Sequence, residues 1–157
     1  MVKVKNSPDQ TGAVFTGLPL IINTSGNVRR VFKSKPDNKL AFSEIYFSEL
    51  NPKSIKAWKH HSLQTQNISV AFGRVRVICV IEKPLGKVFG VFDMNSEGCH
   101  GVLTIPNGIY YALINQTDEP VILINATDIV HNPEESHTLP KNHPDFEHLL
   151  KEYTIYK

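Results

Sequence analysis

The segment from Trp58 to Gly73, WKHHSLQTQNISVAFG, is the part of the sequence that decides the fold assignment. It opens with a lysine, two histidines and two glutamines, and continues with apolar residues at alternate positions, which is the pattern of a half-buried strand. Such a polar start suits three arrangements: a metal site, an acid–base pair, or a solvated strand without a chemical role. The rest of the chain has to distinguish between them.

Composition excludes several classes of protein. The 157 residues carry a net charge of +2, and the basic residues are scattered, so we expect neither nucleic acid nor a membrane surface as a partner. No apolar run approaches the roughly 20 residues that cross a bilayer, and residues 1–20 lack the apolar core of a signal peptide. Cys79 and Cys99 are expected to be free thiols. The sequence predicts one cytoplasmic domain over residues 1–157.

Short apolar runs separated by turn residues every eight to twelve positions predict an all-β protein with mostly antiparallel strands. The predicted strands are Leu18–Asn23, Val28–Lys33, Leu40–Phe47, Ile55–His61, Asn67–Phe72, Val75–Glu82, Val88–Asp93, Gly101–Ile105, Ile109–Asn115 and Val121–Ala126. Residues 132–157 differ in character. A polar, proline-punctuated segment, either an ordered loop or an arm around a partner, precedes a short helix with Pro144 in its first turn. Its apolar face consists of Phe146, Leu149, Leu150 and Tyr153.

Two motifs of this sequence resemble those of cupins. The first cupin motif is H-x-H, four residues, E, six residues, G, and Lys59, His61, Gln66 and Gly73 have that spacing. The second is P-x-G-x-x-H-x-x-x-N, and PNGIYYALIN (residues 106–115) matches its spacing with Tyr111 at the histidine. The resemblance implies a cupin-type jelly-roll barrel.

The same alignment argues against a metal ion, and we expect no cofactor. The four cupin ligand positions would be Lys59, His61, Gln66 and Tyr111. A protonated ammonium cannot coordinate a metal, and a neutral amide is a poor ligand, so only His61 remains as a good donor. We therefore expect a metal-free barrel.

Period-two alternation predicts which side chains face the barrel interior. Lys59 and His61 should point inward, and Trp58 and His60 outward. Tyr111 should likewise point inward. Because polar side chains that converge in a sealed core are costly, their convergence favours a ligand pocket. Trp58 should pack against a neighbouring sheet or a second subunit, and a homodimer is expected.

The metal-free cupins that this chain resembles are the dTDP-4-dehydrorhamnose 3,5-epimerases and the related sugar 3,4-ketoisomerases. NVRRVF (residues 27–32) resembles their D-x-R-G segment and places Arg29 at an arginine that holds the nucleotide diphosphate. Residues 56–61 resemble R-G-x-H-x-H, with Lys56 at the arginine, Lys59 at the epimerase's histidine base and His61 at the second histidine. The epimerase's catalytic tyrosine falls near Ile124, so both of those catalytic positions are substituted.

The resemblance implies an epimerase or isomerase that acts on a dTDP-linked 4-keto-6-deoxyhexose in surface polysaccharide biosynthesis. His61, Lys59 and Tyr111 would be the catalytic residues, with His61 or Lys59 as the base. Arg29, Lys56 and Gln66 would bind the substrate. One alternative is a catalytically inactive module that binds a sugar nucleotide or carbohydrate. Another is a structural partner subunit of a sugar enzyme.

Overall fold

The computed structural model describes residues 11–32, 42–83 and 86–154. These residues form short strands and one helix. In chain order the strands are β1 Val14–Gly17, β2 Leu20–Ile21, β3 Val28–Arg29, β4 Glu44–Leu50, β5 Ile55–His61, β6 Gln66–Phe72, β7 Arg74–Lys83, β8 Gly86–Asn95, β9 Gly101–Ile105, β10 Tyr110–Ile114, β11 Val121–Thr127 and β12 Ser136–Thr138, and the helix is α1 Glu147–Tyr153. No helix within the described ranges is long and apolar enough to cross a membrane.

Two five-stranded sheets make up the barrel. Sheet I has the order β1-β9-β6-β11-β4, and sheet II has the order β12-β5-β10-β7-β8. All pairings in both sheets are antiparallel. Among the described strands, β2 and β3 pair with each other as a separate hairpin. The all-β, cupin-type jelly-roll fold with a short C-terminal helix is thus confirmed.

The predicted strands differ from the observed ones mainly at the two ends of the chain. Ile55–His61 and Gly101–Ile105 have the predicted bounds. Strands β1 and β12 were not predicted, because each is too short to show an apolar period. β1 lies so close to β9 that a Cβ on Gly101 would be 2.3 Å from the carbonyl oxygen of Thr16. Lys33 and Leu40, the ends of two predicted strands, lie outside the described residues.

The barrel interior is divided into an apolar half and a polar half. Leu50, Val70, Val75, Val121 and Leu123 belong to a sealed core cluster between the sheets. Toward the other end of the same strands, the inward positions become polar: Glu44 and Tyr46 on β4, Gln66 on β6, Asn125 and Thr127 on β11, and His61 on β5. Since a close-packed core has no use for so many polar groups, the polar half is where a ligand site belongs.

The C-terminal segment covers the outer face of sheet II. Trp58 points out of the barrel as predicted, but its predicted partner was wrong: it is fully buried against Phe146, which directly precedes α1, with ring centroids 5.1 Å apart. The predicted apolar helix face is buried there, with Leu149 and Leu150 in the same cluster. Pro144 lies before the helix rather than in its first turn, because α1 begins at Glu147.

The outer face of sheet I has no such cover among the described residues. Phe47 on β4 is 72% exposed, and Ile45, Phe72 and Val14 are each more than half exposed. Phe47 pairs with Ile124 of β11 across the sheet, so these two apolar side chains are neighbours on the outer face. Within the described ranges the two outer faces of the barrel are therefore unequal, because the C-terminal segment covers only that of sheet II.

Candidate functional site

A cavity of about 340 Å³ lies between the two sheets at the polar end of the barrel. Sheet II contributes Lys56, Lys59, His61, Tyr111, Leu113 and Ser136, and the facing wall consists of Glu44, Tyr46, Ser48 and Asn125 from sheet I, with Gln64 and His131 from connecting loops. Lys59, His61 and Tyr111, which the motif spacing singled out, are thus brought together, and Lys56 joins them.

A β-bulge explains why Lys56 and Lys59 line the same wall although they are three positions apart. Lys59 pairs with Tyr111 and Lys56 pairs with Leu113, so two residues of β5 lie opposite Ala112 alone. A bulge of this kind reverses the alternation of side chains along the strand. Neither ammonium group has a hydrogen bond or an ion pair within the described part of the chain. This wall of the cavity therefore carries two ammonium groups that form no ion pair with a described residue.

His61 forms a buried pair with Glu135. The imidazole Nδ1 is 2.6 Å from a carboxylate oxygen of Glu135, and the glutamate is only 3% exposed. The other oxygen accepts hydrogen bonds from the backbone N–H groups of Leu63 and Gln64 at 3.1 and 3.2 Å. Burial alone would favour the neutral acid, but the bonds from His61 and the two backbone groups lower the pKa of Glu135 below its ordinary value. The carboxylate is therefore ionised, and it holds the Nδ1 proton of the imidazole.

This arrangement leaves Nε2 of His61 as the nitrogen that faces the cavity. The hydroxyl of Tyr111 and the side-chain nitrogen of Gln66 each lie 3.4 Å from it. Both distances are at the long end of the range for hydrogen bonds. Burial strongly raises the pKa of Tyr111, so its phenol stays protonated and acts as a donor.

Gln66 lies beneath the cavity, between the two walls. It is 1% exposed, its Nε2 donates to Oε1 of Gln64 at 2.5 Å, and its Oε1 accepts from the hydroxyl of Tyr46 at 3.4 Å. Burial raises the pKa of Tyr46, and the carboxylate of Glu44 adds to that effect. Gln66 contacts the other polar side chains rather than lining the cavity itself.

Arg29, the other predicted substrate-binding residue, does not line the cavity. It belongs to the β2–β3 hairpin, whose next residue, Arg30, accepts a hydrogen bond through its carbonyl from Nε2 of His100 at 2.7 Å. His100 precedes β9, whose other end, Ile105, pairs with Gln66 below the cavity. Those five residues of extended chain span roughly 17 Å. Arg29 therefore lies beside the His100 end of β9, and it is not among the residues that line the cavity.

Glu135 and Tyr46 are the two residues of chemical interest at the site that were not foreseen from the sequence. Glu135 lies 74 positions from His61, and nothing in PEES distinguishes the glutamate that turns inward from the one that faces solvent. Tyr46 lies in the predicted strand Leu40–Phe47, where period-two alternation alone would have placed it on one face with Glu44. Ile124, near which the epimerase tyrosine aligned, faces the outside of sheet I opposite Phe47, so the phenols of this cavity are those of Tyr46 and Tyr111.

No group of three or more histidine, cysteine, aspartate or glutamate side chains within the described ranges is placed to hold a metal ion. The donor set at the cupin positions remains that of Lys59, His61, Gln66 and Tyr111, whose chemistry does not suit a divalent ion. The absence of a bound metal in the protein itself stays a prediction.

Comparison with known proteins places this geometry in context. The chain is 31% identical to a dTDP sugar isomerase from Desulfovibrio desulfuricans, with a TM-score of 0.78 over 85% of this chain and 87% of that one. A 3'-monoepimerase from Streptomyces bikiniensis matches at 14% identity and TM-score 0.74, over 85% and 72% of the two chains. An epimerase from Mycobacterium tuberculosis matches at 13% and 0.75, over 87% and 73%. The last two share the fold. No protein-family model matches the chain, and no curated protein does.

Proposed function

Because the chain belongs to the family of dTDP-sugar epimerases and isomerases, we propose that it is an enzyme that epimerises or isomerises a dTDP-linked 4-keto-6-deoxyhexose. The observation that carries the proposal is the His61–Glu135 pair, which faces a protonated phenol in a cavity with two unpaired ammonium groups. A base, a hydrogen-bond donor and positive charge are what proton abstraction next to a carbonyl requires.

The reaction begins at a C–H bond next to the 4-keto group, which that carbonyl acidifies. Nε2 of His61 takes the proton, and the electron pair of the C–H bond moves to the carbonyl oxygen to form an enolate. Glu135 holds Nδ1 and stabilises the imidazolium that results. The ammonium of Lys59 and the hydroxyl of Tyr111 are placed to stabilise the enolate oxygen. We assign the base to His61 rather than Lys59, because only His61 has a partner that fixes its proton.

Lys56 is proposed to bind the diphosphate of the nucleotide sugar. Its ammonium lies on the same wall as Lys59 and is not neutralised by any described side chain. Charge-assisted hydrogen bonds to phosphate oxygens are among the stronger polar interactions.

Arg29 is proposed to reach a diphosphate in the cavity of a second copy. Its hairpin is bonded to His100 at one end of β9, and Arg29 does not line the cavity of its own chain. The open apolar face around Phe47 is the surface through which we propose that two copies pair. The family resemblance that suggested Arg29 and the homodimer is therefore consistent with a site that two chains build together.

A second candidate function is a sugar-nucleotide binding module that catalyses no reaction. It is favoured by the substitution of the epimerase histidine by Lys59 and of the tyrosine by Ile124. We further propose a cytoplasmic role in surface polysaccharide biosynthesis for the enzyme.

The decisive experiment is incubation with dTDP-4-keto-6-deoxyglucose in heavy water, followed by proton NMR of the sugar. The enzyme should introduce deuterium at C3 or C5, and His61→Asn should abolish the exchange. His60→Asn is the matched control, because His60 is the adjacent histidine on the opposite face of β5, where its ring contacts that of Tyr110 with centroids 4.4 Å apart. Binding without any exchange by the wild-type protein would establish the module instead.

A further inference from the structure

A directional chain of hydrogen bonds leads from a backbone carbonyl to the base. The carbonyl of Ile129 can only accept, so Gln64 must turn its Nε2 toward it, at 2.9 Å. Oε1 of Gln64 then faces Gln66, which must present its own Nε2. The carbonyl of Ile129, which can only accept a hydrogen bond, therefore fixes the orientation of both amides.

This orientation determines what Gln66 presents to its other two neighbours. Its second Nε2 hydrogen is directed toward Nε2 of His61 at 3.4 Å, a contact that fits an unprotonated Nε2 and agrees with the Nδ1 proton that Glu135 holds. Its Oε1 faces the hydroxyl of Tyr46, which must then be the donor. Gln66 thus keeps one neighbour ready to accept a proton and the other ready to give one.

The two neighbours of Gln66 lie on opposite walls of the cavity. His61 belongs to β5 of sheet II, and Tyr46 belongs to β4 of sheet I. Both line the cavity, so a sugar ring held between the sheets would have the imidazole on one face and the phenol on the other. A side-chain amide does not gain or lose a proton near neutral pH. Gln66 therefore links His61 and Tyr46 without letting a proton pass directly between them.

We propose that Tyr46 is the catalytic acid that complements His61, and that Gln66 is the positioning residue that sets their complementary protonation states. This proposal rests on the proposed function, to which it adds the group that completes the reaction. His61 removes the proton from one face of the carbon. Tyr46 gives its phenolic proton to the enolate carbon from the other face, and the enolate electron pair forms the new C–H bond. The phenolate then takes a proton from water, and the imidazolium returns its proton to water.

Two variants test the role of Tyr46 with 4-keto sugar nucleotide in heavy water. Tyr46→Phe should keep deuterium exchange within about fivefold of wild type, because His61 still forms the enolate, while net product falls by at least about 100-fold, the usual contribution of a general acid. Tyr110→Phe, which changes a tyrosine on the outer face of sheet II, should leave both rates unchanged. Product formation by Tyr46→Phe within threefold of wild type would overturn the assignment.

The role of Gln66 is tested by a readout that does not need turnover. Nitrogen NMR of the His61 ring in the full-length protein should show a proton on Nδ1 and none on Nε2 at pH 8. In Gln66→Glu the new carboxylate accepts only, so Nε2 should become protonated and the ascending limb of the pH–rate profile should move to higher pH. Gln66→Met should lower the rate without that movement.

These measurements separate the two proposals. If wild type exchanges no deuterium with any sugar nucleotide, the proposed function fails, while the NMR result still decides the hydrogen-bond chain. A proton on Nε2 of His61 in the wild-type protein would refute the role of Gln66, whatever the activity.

Discussion

The buried pair of Glu135 and His61 allows one prediction that joins stability to activity. In Glu135→Gln the side chain keeps its shape but has one oxygen where the carboxylate has two. In the wild-type protein one carboxylate oxygen of Glu135 faces Nδ1 of His61, and the other faces the N–H groups of Leu63 and Gln64. If the remaining oxygen serves the backbone, the new amide donates to Nδ1 and forces the imidazole proton onto Nε2. The base would then be blocked.

The size of both effects follows from these contacts. Loss of one charge-assisted hydrogen bond in a buried site should lower the free energy of unfolding by about 2 kcal/mol. For a chain of this length that corresponds to a fall of roughly 4–8 °C in Tm. The wrong tautomer should lower the rate of deuterium exchange by a factor on the order of 10³–10⁴. Exchange is measured well below both Tm values, and Tm is measured by calorimetry.

The stability difference between wild type and Glu135→Gln should also depend on pH. Because the folded protein holds the pKa of Glu135 below its ordinary value of 4.5, the carboxylate stabilises the fold fully above that value. The advantage should disappear as pH falls through the lower, folded-state pKa. Glu134→Gln, which changes the exposed neighbour, should alter neither Tm nor rate. A Glu135→Gln protein with a rate within threefold of wild type and an unchanged Tm would refute the reasoning.

Three further outcomes are expected. Lys56→Met should weaken dTDP binding at least about tenfold in calorimetric titration, since a charge-assisted bond to phosphate is worth about 1.5–3 kcal/mol. Arg74→Ala, at the start of β7, should leave dTDP binding unchanged. Equal effects of the two substitutions would mean that the charge of Lys56 is merely solvated. Phe47→Glu should convert a dimer to a folded monomer in sedimentation while Phe89→Glu on sheet II should not, and a wild-type protein that sediments only as a monomer would count against the pairing surface. Elemental analysis of protein purified without added metal should find no stoichiometric zinc, iron or manganese, and one tightly bound ion per chain would contradict the prediction.

The fold could be predicted because it depends on spacings that are local in the sequence. The interval from Lys59 to Gly73 and that from Pro106 to Asn115 each lie within one or two strands, where a strict side-chain period determines which residues face inward. The same period predicted that Lys59, His61 and Tyr111 point into the barrel. It could not predict that Lys56 joins them, because the bulge opposite Ala112 interrupts the alternation.

The remainder of the site depends on contacts that local patterns do not encode. Glu135 reaches His61 from a loop without periodicity, and its place is set by two backbone N–H groups that any sequence would supply. Trp58 was correctly directed outward, but whether α1 or another chain covers it depends on how the C-terminal segment turns back across β5. That path is fixed by a reciprocal pair of backbone bonds between Trp58 and Leu139, which carry no sequence signature.

Because the chain is synthesised from its N-terminus, the two residues of the His61–Glu135 pair emerge at different times. The residue that fixes the imidazole leaves the ribosome 74 residues after the imidazole itself. A nascent chain that has already emerged as far as Thr127 carries every strand of sheet I, together with Lys59, His61 and Tyr111. It has nothing to hold the Nδ1 proton. A nascent or prematurely terminated chain that lacks Glu135 leaves the imidazole of His61 without this partner. We therefore expect the orientation of that ring to be a late event of folding, when the segment that carries Glu135 docks.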